Sequence, residues 1–372
     1  MNRDNQKQLA SPLVIQSSRP ACDDSQIEKL KLAAQELQDG YPIAHEAEQH
    51  GLAPLVFHHL RTVGSVIDDK ELKKLRVQFV QNRNRNRILM KTLENVLEKL
   101  GSAGIDVLVL KGGALGNLIY PDCALRPMGD LDLLVRKNDD ERARDTLHDM
   151  GFVSRAVKTK HHLRHALPEM SKMVDGISVT LDLHRNVFTN LHTASLELDT
   201  VTSPRISFAI GSQEAFTLGY EEMLLHLCHH LITPGQAIKL ISVADIVGFV
   251  TRYTDRIDWK TVHQKHRFVI NTLIMLDLLL PFSHEVRQMA GLEPSGLKSQ
   301  IGIDYTGWPN TPFSQAGQSE NGYWTLFYNS MAAPEWWLRL RYGYGPQYPI
   351  GFCRYGIHPI RLAGMALRWY LS

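Results

Sequence analysis

Between residues 105 and 190 short apolar, β-branched runs alternate with helical stretches, in a chain whose pattern is otherwise helical. The run 105–110 has the length and composition of a buried strand. A short helix is expected over 115–120, a turn at Pro121-Asp122, and a second buried strand over 131–135. Residues 139–150 carry a helical pattern that stops at Gly151. Strand candidates follow at 152–157 and at 177–184, where Ile-Ser-Val-Thr-Leu-Asp-Leu-His alternates. Strands interleaved with helices in this way require a sheet with helical cover, because each strand must bury an apolar face against something.

The flanking segments read differently. Residues 1–24 are polar, carry Pro12 and Pro20, and are expected to form a flexible arm. Ser25 is a candidate N-cap with Glu28 three residues on, followed by Leu30, Leu32, Ala33 and Leu37 at helical spacing. Further helices are expected over 43–62 and 70–101, the last ended by Gly101 and Gly104. Residues 25–104 therefore form an N-terminal helical unit, and 105–205 the sheet-bearing core. The helical period returns from about 212, and 206–290 is expected to be a helical domain. Residues 291–330 give no period, and the last forty residues combine aromatics with Arg339, Arg341, Arg354, Arg361 and Arg368 against one acid, Glu335. Residues 291–372 are thus a loop-rich, Arg- and aromatic-rich C-terminal region.

Bulk properties narrow the function classes. A formal net charge of +2 supplies no overall electrostatic footprint for nucleic acid. The four cysteines, Cys22, Cys123, Cys228 and Cys353, form no C-x-x-C pair, which excludes a zinc ribbon and a dense disulfide framework. The first residues lead into no signal-peptide segment, and the most hydrophobic run, 273–282, contains Asp277 and is too short to span a membrane. A cytoplasmic protein is expected.

The densest chemical signal is Leu110-Lys111-Gly112-Gly113-Ala114 followed by Leu125-Arg126-Pro127-Met128-Gly129-Asp130-Leu131-Asp132-Leu133-Leu134-Val135. On a strand, alternate side chains share a face, so Asp130 and Asp132 point together while Leu131 and Leu133 enter the core. Two carboxylates held that close disfavour double ionisation unless a cation neutralises them. Mg²⁺, or Mn²⁺ in its place, suits such a site because hard cations take carboxylate and phosphate oxygens. A Gly-Gly turn opening a helix is a natural phosphate cradle, with Lys111 as a cation beside it. A third acid, Asp182, shares a strand face with His184. An isolated Asp-x-Asp more often marks a strand edge or a helix cap; the surrounding set lifts it above that reading.

The order Lys-Gly-Gly, Arg-Pro-Met-Gly-Asp-Leu-Asp-Leu-Leu-Val, then Leu-Asp-Leu-His resembles the nucleotidyltransferase superfamily of the DNA polymerase β type. Within it the chain is most similar to the bacterial "nucleotidyltransferase family protein" group. The resemblance covers about 105–250, including Glu222-Met223-Leu224-Leu225-His226-Leu227-Cys228-His229-His230 and Lys239-Leu240-Ile241-Ser242-Val243-Ala244-Asp245-Ile246. It differs from the superfamily pattern in the long spacer, residues 114–129, between Gly113 and Asp130, and in lacking a serine after the second glycine. The resemblance implies an α+β fold, with a small mixed-sheet nucleotidyltransferase core between the two helical parts. It implies transfer of NMP from an NTP such as ATP to an acceptor, with release of pyrophosphate. Asp130, Asp132 and Asp182 would be catalytic and hold two Mg²⁺ ions; Lys111, Gly112, Gly113, Arg126 and Lys239 would contact the phosphates. His184 and His162 would stand behind these groups.

Histidines elsewhere invite a metal reading. His161, His162 and His165 lie close together between two strand candidates, and His226, His229 and His230 fall at helical spacing. No His/Cys framework completes either set, and packing is the favoured reading of 226–230. The Arg- and aromatic-rich end reads first as a segment folded back on the helical domain, with docking to a partner, an acceptor or a membrane surface as the rival. Three functions compete: a nucleotidyltransferase, a non-catalytic nucleotide-binding or assembly protein on the same fold, and a histidine-metal hydrolase, which the missing framework disfavours. The acceptor, a small molecule, glycan precursor, peptide or protein, is not written in the sequence, and neither is the oligomeric state.

Overall fold

A computed structural model describes residues 10–64, 67–155, 166–188, 195–231, 239–292, 335–344 and 348–370. Five helices come first: α1 (Pro12–Gln16), α2 (Asp24–Gln35), α3 (Ile43–Gln49), α4 (Ala53–Val63) and the long α5 (Asp69–Ser102). The sheet region follows as β1 (Val107–Val109), α6 (Lys111–Leu118), β2 (Asp130–Val135), α7 (Asp140–Asp149), β3 (Val153–Ser154), β4 (Met170–Val174) and β5 (Ile177–His184). A hairpin, β6 (Ile206–Ile210) and β7 (Gln213–Thr217), leads to α8 (Tyr220–Leu231), α9 (Leu240–Tyr253), α10 (Trp259–Lys265), α11 (Arg267–Leu279) and α12 (His284–Met289). Near the end lie α13 (Glu335–Tyr342) and α14 (His358–Tyr370), the latter preceded by a π-helical turn at Cys353–Ile357. Among the described residues, no helix is long and apolar enough to cross a membrane.

The five-stranded sheet has the order β1-β2-β5-β4-β3 and is mixed, consistent with an α+β fold: β2 and β5 run parallel, and the other pairs antiparallel. Strand β4, absent from the sequence expectation, is joined to β5 by Asp175-Gly176, with φ of 48° and 76°. Those positive φ values are what a two-residue hairpin turn demands, and Asp-Gly is a strong signal for one. Val153 and Met173 face solvent, which weakened the apolar pattern of this edge.

Three further expectations change. The segment 43–62 is two helices, because Gly51 sits at φ 70° and ends α3 before Pro54 starts the next turn. The helical domain drawn from 206 begins instead with a β-hairpin. Its strands alternate, and its turn is Gly211-Ser212, with Gly211 at φ 59° and Ser212 N–H and hydroxyl donating to Glu94. Residues 10–24, expected to be a flexible arm, are packed. Leu13 and Val14 are fully buried, Ser11 N–H donates to the Glu46 carboxylate, and Arg19 donates to the Pro281 carbonyl at 2.8 Å. Prolines marked a helix start and a contact with Gly248 there, not mobility. The C-terminal α13 also folds back, burying Leu338 and Leu340. Trp336 and Trp337 side chains lie outside the description.

One apolar core runs from Leu13 through the sheet to Leu340. His59 of α4 is sealed inside it, its Nε2–H donating to the Arg19 carbonyl at 2.8 Å. Burial holds its pKa down from 6.5 to about 4, against the Arg19 hydrogen bond. The unfolded chain therefore binds more protons between those values. The neutral ring's contribution, up to about 3 kcal/mol, is complete above pH 6.5 and lost as pH falls through 4. Urea midpoints should drop between pH 7 and pH 5 in the native protein and drop less in His59→Gln. Parallel pH profiles would remove His59 from this role.

Candidate active site

Strand alternation puts Leu131 and Leu133, both fully buried, on one face of β2, and Asp130 and Asp132 on the other. The parallel register then sets Asp132 beside Asp182, Asp130 beside Thr180 and Leu134 beside His184. Asp132 is 2% exposed, Asp182 is half-buried and Asp130 is open to solvent. Ligand atoms of Asp132, Asp182 and His184 lie within 4.8 Å of one another, so these three donors converge on one point. Among the described residues this is the one group of three or more His, Cys, Asp or Glu side chains placed to hold an ion.

Asp132 is the centre of the polar network. Its Oδ1 accepts from Lys111 Nζ at 2.5 Å and from His184 Nε2 at 2.8 Å. Burial alone would raise its pKa; the Lys111 charge and the His184 hydrogen bond hold the carboxyl well below its usual range instead. Asp182 has no such support. Burial and then Asp132 push its pKa up from 3.8 to about 6. Asp130 is raised by the surrounding protein and by Asp132. For Lys111, burial opposes the charge, but Asp132, with Asp130 and Asp182 behind it, keeps the ammonium protonated. Neighbouring carboxylates with pKa values pushed apart are a recurring mark of functional sites.

Lys111 is the first residue of α6 and sits at φ 44°, in the left-handed region. Gly112 and Gly113 follow inside the helix, buried. A Cβ on Gly112 would meet Arg126 Nη1 at 2.3 Å and Met128 Cγ at 2.8 Å; one on Gly113 would meet Val109 Cγ1 at 2.8 Å. The smallness of Gly112 lets α6 press against the segment leading into β2, and that of Gly113 lets it approach β1 and α5.

That segment is the long spacer, and it is anchored by α5. Asn82 donates to the Ala124 carbonyl, Asn86 to the carbonyls of Cys123 and Arg126, and Arg85 to those of Met128 and Gly129. These positioning side chains were not singled out from the sequence. Their signal was the run 81–87, about two turns of α5 made only of amide and Arg side chains.

Arg126 is buried with its guanidinium fork on Asp245 of α9, Nε to Oδ1 at 2.9 Å and Nη2 to Oδ2 at 2.6 Å. Tyr120 donates to the same Oδ1 at 2.8 Å. Asp245 outweighs burial and raises the Arg126 pKa further. Lys239 is exposed just ahead of α9, and its charge adds to the burial that holds the His50 pKa down to about 4. His162, with His161 and His165, lies outside the described residues.

On α8, His226 is 2% exposed, with ring contacts to Phe188 at 6.3 Å and His230 at 6.2 Å. Burial lowers the pKa of both, His230 to about 4, and Lys111 and Asp132 are among the charges they feel. Burial thus holds both rings neutral, and His226 Nε2 is buried without a hydrogen-bond partner among the described residues. A cavity of about 660 Å³ lies past Phe188, lined by Thr202, Glu222, His229, Lys265 and Phe268. A larger groove, about 850 Å³, runs between α3 and the first turns of α5 and includes none of the residues above, so size does not locate the chemistry.

Residues 40–274 match the family described as uncharacterised nucleotidyltransferase. Comparison with solved structures finds an antigenic nucleotidyltransferase-like protein from Paracoccidioides brasiliensis. It is 15% identical, covers 56% of this chain and 94% of its own, and superposes with a TM-score of 0.38. No curated protein matches the chain.

Proposed function

The chain belongs to the uncharacterised nucleotidyltransferase family, and from that premise we propose that it is a metal-dependent enzyme that moves NMP from an NTP to an acceptor hydroxyl and releases pyrophosphate. The observation that carries this reading is the in-register pair Asp132 and Asp182 on adjacent parallel strands, with His184 converging on the same point. The donor chemistry fits a hard divalent cation, two carboxylates being its preferred protein ligands. Mn²⁺ shares the preference for carboxylate oxygens and is the alternative to Mg²⁺. Asp132, Asp182 and His184 would hold the ion, and Asp130 at the open edge would meet the ion carried by the nucleotide. When bound, the cation supplies charge neutralisation for the phosphates and polarises the phosphoryl group.

The remaining chemistry belongs to side chains. Asp182, beside Asp132 on the neighbouring strand, takes the proton of the acceptor hydroxyl as that oxygen attacks the α-phosphorus. The bond from the α-phosphorus to the β-bridging oxygen breaks in line, and pyrophosphate leaves. Lys111 is the cation placed for the phosphates, at the open end of α6. Arg126 serves indirectly, by fixing the start of β2 through Asp245 and by bordering Gly112. Lys239 has no part in this reading. The acceptor would sit in the cavity beyond Phe188, where aromatic rings, Thr202 and Glu222 offer stacking and polar contacts.

Purified protein incubated with each labelled NTP and Mg²⁺ or Mn²⁺ is expected to transfer label, to itself or to an added acceptor, with stoichiometric pyrophosphate. A chelator should stop it. Nucleotide binding without turnover for every NTP and both ions would make the protein a nucleotide-binding module instead.

A further inference from the structure

Lys111 holds two features that a simple phosphate contact does not require. It is one of two non-glycine residues in the left-handed region among the described residues, and the other, Asp175, belongs to a residue type that tolerates a hairpin turn. A lysine gains nothing locally from that conformation, so surrounding contacts must impose it. The conformation delivers Nζ to Asp132 Oδ1 at 2.5 Å, with the side chain only 23% exposed. His184 Nε2 reaches the same oxygen. A carboxylate oxygen has two lone-pair positions, and here both are taken.

We propose that Lys111 is the counter-cation of Asp132, and that it exchanges this carboxylate for a phosphate oxygen when metal and triphosphate bind. This rests on the nucleotidyltransferase reading and deepens it. An ammonium in contact with Asp132 Oδ1 and a divalent ion on the same carboxylate repel each other strongly in a buried site. Lys111 is therefore driven off that oxygen, and in the absence of nucleotide the anions left to it, Asp130 and Asp182, are ones the metal also draws on. A triphosphate supplies that anion, since ammonium-to-phosphate hydrogen bonds are charge-assisted. Metal and nucleotide then favour each other's binding, with the lysine as the physical link. The arrangement keeps the carboxylates neutralised between turnovers and makes cation capture conditional on nucleotide.

The test is binding, not turnover. Mn²⁺ titrations of the full-length protein, read by electron paramagnetic resonance, are made without nucleotide. Nucleotide affinity is measured separately at saturating Mn²⁺ with an NTP analogue whose α–β bridge cannot be cleaved. Lys111→Gln is expected to bind Mn²⁺ at least about tenfold more tightly than the native protein and the analogue at least about tenfold more weakly. The opposite signs are the signature. Lys111→Arg, which keeps the charge and the fold, should weaken nucleotide-free Mn²⁺ binding because its fork grips Asp132 with two bonds. Unchanged Mn²⁺ affinity in either variant overturns the exchange. If transfer is demonstrated and Mn²⁺ affinity does not move, the exchange fails while the enzymatic reading stands. If the opposite-sign shifts appear and no transfer is found, the exchange stands and the enzymatic reading fails.

Discussion

An Asp132→Asn protein should lose metal-dependent transfer of label from NTP by at least about a thousandfold. Asparagine preserves shape but removes the negative charge that two other donors converge on. Asp132 is the member of the acid set that is both nearly inaccessible to solvent and bonded to Lys111 and His184. Neither exposed Asp130 nor half-buried Asp182 can take its place, because the parallel register fixes which atoms meet. The same change should cost about 3 kcal/mol of stability, since it leaves a buried ammonium without its counter-charge. Thermal unfolding must therefore accompany the assay, so that activity is read on folded protein. Transfer by folded Asp132→Asn within threefold of the native rate would falsify the site assignment.

The second large effect is expected far from the reacting atoms. Arg126 and Asp245 are separated by more than a hundred residues of chain and meet as a buried bidentate pair. Removing one partner strands the other charge, which typically costs about 3–5 kcal/mol. Asp245→Leu should be the worse of the two, because it also leaves the buried Tyr120 hydroxyl without its acceptor. Arg126→Met leaves Asp245 its Tyr120 donor. The double variant Arg126→Met with Asp245→Leu should recover much of the loss, as two apolar side chains replace an ion pair of similar volume. Urea denaturation of the three proteins gives the coupling directly. Single-variant costs below about 1 kcal/mol would mean that this pair does not latch α9 to the start of β2.

Several elements were legible at the level of single segments. The strand ahead of Lys111, the Asp-Leu-Asp strand, the alternating 177–184 strand and the long helix ending near Gly101 all follow from local period and caps. The hairpins were also written locally, in Asp175-Gly176 and Gly211-Ser212. Those turns were overshadowed by edge strands whose outer residues face solvent, which blurs the two-residue alternation. The packing of residues 10–24 had a weaker signal. A short apolar helix after a serine cap reads as an arm until one knows that it packs against α2 and α3, with Pro20 just beyond it meeting Gly248 of α9.

For the site, the division falls between what a strand's pleat dictates and what pairing dictates. Alternation is a property of one strand, so the sequence by itself placed Asp130 with Asp132 and Asp182 with His184. It could not say that Asp132 lies beside Asp182, because register is set by sheet-wide burial and by turns elsewhere in the chain. Nor could it separate buried Asp132 from exposed Asp130, although that difference decides which carboxylate anchors Lys111. The glycines after Lys111 read as a phosphate turn, and only the fold shows that Gly112 also allows a close approach to Arg126 and Met128, and Gly113 to Val109. Arg126 looked like a free cation until Asp245 arrived from a helix far along the chain. Local residue chemistry thus named the participants, while partner, burial and charge balance were decided only by tertiary contacts. Those properties depend on distance in space, which sequence separation does not encode.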